Sequence, residues 1–122
     1  MGLSEELFFD KGCFVAQQAG EKALKACLYS TGNRRVIGHS LSDLRAELEA
    51  LHPPVAQIAA QARRLDRHYI PTRYPNGLPG GVPCESYSQK DLEDALQDLA
   101  AVFRACEGFL ATRGILPGAG AP

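Results

Sequence analysis

Residues 88–110 read SQKDLEDALQDLAAVFRACEGFL, and this stretch decides the fold class. Its apolar side chains recur at steps of three and four residues, the spacing that places them on one face of an α-helix. Ser88 can begin the helix in a capping box with Asp91, and Gly114 ends the pattern. The apolar face consists of Leu92, Leu96, Leu99, Phe103, Cys106 and Leu110. We therefore predict a long helix near the end of the chain.

Three further stretches show the same spacing. Their inward positions are Cys13, Ala16, Gly20, Ala23, Leu24 and Cys27 in the first; Leu41, Leu44, Leu48 and Leu51 in the second; and Val55, Ile58, Ala62, Leu65 and Tyr69 in the third. Ser40 or Ser42 can cap the second helix, and Pro54 is tolerated at the start of the third. Ala, Leu, Glu, Lys, Arg, Gln and Met fill 60 of the 122 positions, whereas Val, Ile and Thr fill 12. We therefore predict an all-α protein.

The first helical stretch, residues 4–31, is predicted in two pieces. Asp10 can cap a second piece, and Gly12 weakens the helix near the same point. Small side chains on the stripe that follows allow a neighbouring helix to approach closely.

Residues 70–87, IPTRYPNGLPGGVPCESY, cannot form a helix because they hold four of the eight prolines and three glycines. We predict an ordered loop here, since a long loop in a small helical domain is usually functional or packed against the body. Cys84 in this loop is the one cysteine with potential reactivity. The single domain is predicted over residues 1–113, and residues 114–122 are predicted as a flexible tail.

Length and composition exclude several classes. The chain has 122 residues, 45% of them apolar and 22% charged, which is typical of one globular domain. No apolar run is long enough to span a membrane, and Glu5 and Glu6 stand where a secretory signal carries positive charge, so we expect a cytoplasmic protein. The four cysteines and three histidines lack metal-binding spacing, so no metal or cofactor is predicted.

Basic residues cluster although the net charge is only −1. Between residues 61 and 74, four arginines accompany a single acid, Asp66. The predicted nucleotide-binding residues are Lys22, Lys25, Arg63, Arg67, Arg73 and Tyr74. Guanidinium groups bind phosphate in bidentate fashion, and tyrosine can stack on a base. The alternative is that Arg73 and Tyr74 brace the loop against the bundle, and the two roles are compatible.

The last helix carries the opposite charge. Asp91, Glu93, Asp94 and Asp98, preceded by Glu85, oppose the single Lys90. Such a run is usually a solvated face. The alternative is contact with the basic cluster of a second copy or another partner.

Arg63 and His68 have four residues between them, and together they offer a base and a cation, the two groups that cleavage of RNA without a metal ion requires. In that interpretation the histidine deprotonates a ribose 2′-hydroxyl and the arginine stabilises the phosphate charge. Arg34 and His39 fit the same spacing, so the pattern has low specificity. The structural alternatives are that His68 interacts with the carbonyls at a helix end and that His39 caps a helix or packs in a loop.

Two segments together resemble a known family. They are Gln17-Gln-Ala-Gly-Glu-Lys-Ala-Leu-Lys-Ala26 with Gly38-His-Ser-Leu41, and Leu65-Asp-Arg-His-Tyr-Ile-Pro-Thr-Arg-Tyr-Pro-Asn-Gly-Leu-Pro79. In this order and separation they resemble the HEPN domain (higher eukaryotes and prokaryotes nucleotide-binding) over roughly residues 8–112, and the Tyr-Ile-Pro-Thr-Arg-Tyr-Pro run is the specific part.

The resemblance implies an antiparallel up-and-down bundle of four or five helices, usually dimeric and often encoded beside a minimal nucleotidyltransferase in toxin–antitoxin-like pairs. The family's first helix is some five turns long, whereas residues 3–9 alone correspond to it here, so we expect a truncated first helix. The function expected is nucleotide or RNA-phosphate binding, without catalysis, as a homodimer or with a nucleotidyltransferase-type partner. The alternatives are a metal-independent endoribonuclease toxin using Arg63 and His68, and a purely structural interaction domain.

Overall fold

Four α-helices make up most of the computed structural model, which describes residues 2–69 and 87–115. They are α1 (Gly2–Tyr29), α2 (Leu41–Glu49), α3 (Ala59–Asp66) and α4 (Gln89–Thr112). A 3₁₀ helix, Pro53–Ile58, leads directly into α3. The described residues contain no β-strand, and the predicted all-α class is confirmed.

Helix α1 is continuous over 28 residues, so the predicted break at Asp10 and Gly12 is wrong, and the first helix is not reduced to residues 3–9. A Cβ atom on Gly12 would lie 2.8 Å from a methyl carbon of Leu92 in α4. The absence of a side chain at Gly12 therefore allows α4 to pack closely against α1. Because a single glycine costs a helix only about 1 kcal/mol, packing against α4 is enough to keep α1 intact.

Helices α1 and α4 run in the same direction. Gly12 packs against Leu92 near the start of both helices, and Cys27 lies against the Cys106 carbonyl near the end of both. The connection explains this departure from the predicted up-and-down order. Residues 30–40 contain no helix and return along α1, which is possible because extended chain covers about 3.3 Å per residue against 1.5 Å in a helix.

Helices α2 and α3 are antiparallel, as predicted. The backbone N–H of Leu41, at the start of α2, donates to Asp66 at the end of α3. Arg45, one turn later in α2, donates to the carbonyl of Val55 in the 3₁₀ helix that precedes α3. These two helices with their 3₁₀ extension close one side of the bundle.

The core follows most of the predicted stripes. Its buried residues include Cys13, Ala16, Leu24 and Cys27 of α1, Leu41, Leu44 and Leu48 of α2, and Val55, Ile58, Ala62 and Leu65 of the third stretch. Leu51 is exposed because α2 ends before it, and Tyr69 lies beyond the end of α3.

The predicted face of α4 is confirmed in part, because Cys106 is buried and Leu92, Leu99 and Leu110 pack partly buried against the core. Ala95, Val102, Cys106 and Phe109 are buried, whereas Leu96 and Phe103 are exposed. The helix is apolar on two adjacent faces, and periodicity alone does not say which of them meets the core.

Two predicted helix starts are confirmed. The Ser40 hydroxyl accepts a hydrogen bond from the Asp43 N–H at 3.1 Å. Ser88 and Asp91 form the predicted capping box, and the hydrogen bonds from Ser88 lower the pKa of the Asp91 carboxyl.

The predicted proline- and glycine-rich loop lies almost wholly outside the described residues, as do Arg73, Tyr74 and Cys84. Among the helices that are described, none combines the length and apolar character needed to cross a membrane.

Candidate polar cleft

A buried carboxylate organises the polar side of α1. Glu21 is only 4% exposed, and its Oε2 atom lies 2.9 Å from Lys25 Nζ and 3.0 Å from His39 Nδ1. Gln17, one turn earlier on the same face and fully buried, donates to the backbone carbonyl of His39 at 3.1 Å. Glu21 therefore holds the ring of His39, and Gln17 holds its backbone, just before α2 begins.

The contacts of Glu21 determine its charge. Burial by itself raises the pKa of this carboxyl, but hydrogen bonds from Lys25 and His39 outweigh burial and bring the pKa below its ordinary value. An ionised carboxylate only accepts hydrogen bonds, so His39 Nδ1 is the donor. Nε2 of the ring makes no hydrogen bond to the described residues.

The ring of His39 forms one wall of a cleft. It stacks on the Tyr69 ring with centroids 5.3 Å apart and an interplanar angle of 13°. Ser40 and Asp66 complete the lining of this cleft, which has a volume of about 250 Å³. An aromatic wall beside hydrogen-bonding groups suits a planar polar ligand.

Asp66 is fully engaged inside the protein. Its Oδ1 accepts from the Leu41 N–H at 2.7 Å, and its Oδ2 accepts from the Ser42 N–H at 3.1 Å and the Ser40 hydroxyl at 3.0 Å. A carboxylate at a helix N-terminus is stabilised by the helix dipole. Asp66 therefore neutralises the start of α2 and forms no ion pair with the arginines next to it.

Arg63 of α3 and Arg67, the residue directly after the helix, lie one turn apart and are both exposed. Neither side chain makes a hydrogen bond or ion pair with any described residue. Arg63 lies three residues before Asp66, which places the two on the same side of α3. These two cations remain available to an external anion.

Arg64, between them, has a different environment. Its guanidinium donates to both oxygens of Asp98, at 2.8 Å and 3.0 Å, and Asp98 is buried in α4. The acidic residues of the last helix were predicted to form a solvated face or to contact a partner. Asp98 does neither, because it binds an arginine of its own chain. Asp94 accepts from Lys90 within the same helix.

The predicted nucleotide-binding residues are distributed over two helices. Lys25 contacts the carboxylate that orients His39, and Arg63 and Arg67 flank Asp66. Lys22 is exposed and makes no ion pair with the described residues. The cleft therefore has Lys25 and Arg63 near it, whereas Lys22 lies outside the network.

The second predicted pair, Arg63 and His68, does not meet within the described chain. The His68 ring is half-buried and packs against the Tyr87 ring at 5.7 Å, whereas Arg63 faces solvent. Burial lowers the pKa of His68, and its Nδ1 atom is buried without a hydrogen-bond partner. The expected contact with carbonyls at the end of α3 is not made by this nitrogen.

Sequence reasoning missed Gln17 and Glu21 and treated His39 as a capping or packing residue. The available signal was two polar residues, four positions apart, within an apolar stripe. The described residues contain no group of three or more His, Cys, Asp or Glu side chains able to hold a metal ion. Within residues 2–69 and 87–115 the buried thiols are Cys13, Cys27 and Cys106, and burial raises the pKa of Cys13 to about 11.

Comparison with known proteins identifies the family. A family model of the HEPN domain matches residues 2–109. The chain is 27% identical over 105 residues to "Putative toxin MJ1304" of Methanocaldococcus jannaschii, an alignment that covers 80% of this chain and 69% of that protein. No solved structure matches the chain at a significant level. The matched region includes Gln17, Glu21, His39, Asp66 and Tyr69. The chain belongs to the HEPN domain family.

Proposed function

We propose that this HEPN domain binds nucleotides or RNA through phosphate contacts at the His39–Tyr69 cleft. The observation that carries the proposal is the pair Arg63 and Arg67, whose side chains are exposed and without an ionic partner among the described residues, beside an acid whose two oxygens accept hydrogen bonds from Ser40 and the start of α2. Two arginines one helical turn apart have side chains long enough to contact two successive phosphates of a nucleic-acid strand.

The cleft adds groups that can contact the rest of a nucleotide. The stacked rings of His39 and Tyr69 offer an aromatic surface for a base. The free Nε2 of His39 can accept a hydrogen bond from a ribose hydroxyl or a base N–H. Lys25 sits next to Glu21 and adds positive charge behind the ring.

Membership of the HEPN family and similarity to a protein named as a toxin support a role in a toxin–antitoxin-like pair. In this proposal the domain works in the cytoplasm, as a homodimer or beside a nucleotidyltransferase-type protein. Arg73 and Tyr74, which follow Tyr69 in the sequence, belong to the proposed phosphate site.

Cleavage of RNA by Arg63 and His68 is the second candidate. The specific observation in its favour is His68 itself, because a buried histidine with a lowered pKa is neutral at pH 7, as a general base must be. Arg63 of the same chain does not reach it, so this reaction needs an arginine brought by a second copy. Loss of RNA cleavage in His68→Ala, with binding retained, is the expected result if this candidate is correct.

The test measures binding of a fluorescent single-stranded RNA of twelve nucleotides by anisotropy at several salt concentrations. Arg63→Glu/Arg67→Glu should weaken binding at least tenfold and reduce the salt dependence. Arg34→Glu/Arg35→Glu is the matched control, because it reverses two neighbouring exposed arginines outside the cleft. Equal effects of the two double variants would contradict the proposed site.

A parallel arm with AMP, ATP, GTP and UTP distinguishes free nucleotides from RNA. A nucleotide at 100 times its dissociation constant should stabilise the fold by about 2.7 kcal/mol, which is readable as a rise in melting temperature.

A further inference from the structure

A second cleft lies between the last helix and the segment that leads into α3. Its volume is about 430 Å³, within the range of about 300–1,000 Å³ that is typical of small-molecule sites. It shares no described lining residue with the His39–Tyr69 cleft, so binding here is independent of nucleotide or RNA binding there. We refer to it as the α3–α4 cleft, and the polar side chains of its lining are His52, Gln57, Gln61 and Arg104.

Gly108 keeps the α4 wall of this cleft open. A glycine inside a helix is less favourable than alanine, so its presence there needs a physical reason. At Gly12 and Gly20 the reason is close packing, because a Cβ atom would lie 2.8 Å and 2.6 Å from a leucine methyl carbon. Gly108 has nothing within 4 Å of its Cβ position, and its φ angle is not positive. What the missing side chain provides at Gly108 is space in the cleft.

One free cation stands in the same wall. Arg104 lies one turn before Gly108 in α4, is exposed, and makes no hydrogen bond or ion pair with any described residue. The described lining contains no carboxylate and no second arginine or lysine. A guanidinium binds a carboxylate through two parallel hydrogen bonds, and one positive charge matches one negative charge. The wall therefore favours a monoanion such as a carboxylate over a phosphate monoester, which carries nearly two charges at pH 7.

The opposite wall carries two amide side chains, Gln57 of the 3₁₀ helix and Gln61 of α3, four positions apart. Oε1 of Gln61 is buried and accepts no hydrogen bond from any described residue. A buried acceptor without a donor destabilises a protein, and the N–H group of a ligand would satisfy it. Because an amide both donates and accepts, this pair is complementary to an amide group.

We propose that the α3–α4 cleft binds a small carboxylate that also carries an amide group, a molecule of the size of an acylated amino acid or a dipeptide. The guanidinium of Arg104 pairs with the carboxylate, and Gln61 accepts a hydrogen bond from the amide N–H. The ligand packs over the backbone of Gly108, and Ile58 and Ala105 supply the apolar part of the lining.

The first test follows the backbone amide NMR spectrum of the full chain while N-acetylglycine, which carries one carboxylate and one amide, is added at pH 7. The resonances of residues 55–61 and 101–108 should shift, with a dissociation constant of about 1–10 mM for so small a probe. N-acetylglycinamide, its uncharged counterpart, should bind about tenfold more weakly. No shift at 50 mM, shifts confined to other residues, or equally tight binding of inorganic phosphate would overturn the proposal.

Arg104→Gln should weaken the binding of N-acetylglycine about tenfold, because it removes the cation that pairs with the carboxylate. The melting temperature should stay unchanged, since Arg104 has no ionic partner among the described residues. Arg35→Gln is the matched control, because Arg35 is also exposed and lies outside the cleft, and this variant should bind like the wild type. An Arg104→Gln protein that binds as tightly as Arg35→Gln would contradict the assignment.

Two further variants test the shape of the cleft and its unsatisfied acceptor. Gly108→Leu should fill the cleft and weaken binding about tenfold, with an equal or higher melting temperature, since leucine is the better helix former. Gln61→Met removes the buried acceptor at similar side-chain length, so it should raise the melting temperature and weaken binding about threefold to tenfold. A folded Gly108→Leu protein with wild-type affinity would place the ligand elsewhere and overturn the proposal.

Discussion

The Nδ1 atom of His39 lies 3.0 Å from Oε2 of Glu21, although 18 positions separate the two residues in the sequence. This contact fixes the end of the connection that returns along α1 after Tyr29. Gln17 holds the backbone of the same histidine, so both ends of the residue are tied to α1. Since α2 begins two residues later, at Leu41, the polar network also sets where the second helix starts.

Replacement of Glu21 by glutamine should destabilise the fold, because Lys25 and His39 lose a buried ionic partner. We expect a loss of about 1–3 kcal/mol at pH 7, typical of an unsatisfied buried hydrogen-bonding site. The folded-state pKa of Glu21 lies below the ordinary value of 4.5, so its contribution to stability is present above about pH 4.5 and disappears as the pH falls through the folded-state pKa. Urea unfolding at pH 7 and at pH 3 measures both effects.

In this experiment the difference between wild type and Glu21→Gln should shrink in acid. Glu107→Gln changes an exposed glutamate of α4 and should leave the unfolding free energy nearly unchanged at either pH. A difference that is equal at pH 7 and pH 3 would show that the charge of Glu21 is not what stabilises the network.

Gly20 should tolerate alanine poorly, although alanine is the better helix former. A Cβ atom there would lie 2.6 Å from a methyl carbon of Leu41, which is fully buried and packs where α1, α2 and α3 meet. Overpacking of a core typically costs about 1–3 kcal/mol, more than the helix propensity gained. We expect Gly20→Ala to lower the unfolding free energy by about 1–2 kcal/mol.

Gly108 provides the matched comparison for Gly20. It also lies inside a helix, but nothing stands within 4 Å of a Cβ atom built on it. Gly108→Ala should therefore raise the unfolding free energy by about 0.5–1 kcal/mol. Thermal and urea unfolding of the two variants should give opposite signs, and a stabilised Gly20→Ala would rule out tight packing at this glycine.

Local patterns explain why most of the fold was predictable from the sequence. Leu44, Leu48, Val55 and Leu65 follow helical spacing, and their burial depends only on which side of each helix is apolar. Leu96 was misassigned because α4 is apolar on two neighbouring faces. The neighbouring helices decide which face of α4 meets the core, and the sequence of α4 alone does not determine how those helices pack.

The site was less predictable because its contacts join distant segments. Arg63 and Arg67 could be selected as a local excess of positive charge. The hydrogen bonds that Asp66 accepts from the start of α2 could not be foreseen, since its partner Leu41 is 25 positions away and its position depends on the returning connection. The burial of Glu21 could not be foreseen either, since its hydrogen-bond partner His39 is 18 positions away.

Asp66→Asn should affect stability and RNA binding in opposite directions, which separates its two roles. Asparagine keeps one acceptor oxygen but places an amide N–H group where Oδ2 accepts from Ser40 and the Ser42 N–H, and an unsatisfied site of this kind costs about 1–3 kcal/mol. The same change removes a negative charge beside Arg63, so phosphate binding at the cleft should become tighter by a factor of about two to five. Urea unfolding and RNA anisotropy, both at a temperature where the variant is fully folded, measure the two effects.

Ser88→Ala is the control for Asp66→Asn because it removes a cap from α4, a helix that contributes no residue to the lining of the cleft. It should lower the unfolding free energy by a similar amount and leave RNA affinity unchanged. Weaker RNA binding by Asp66→Asn at full folding would mean that the aspartate contacts the ligand itself. In that case Asp66 would accept a hydrogen bond from the bound base or sugar. Arg63 would then have to reach the phosphate of a ligand that is already held by Asp66.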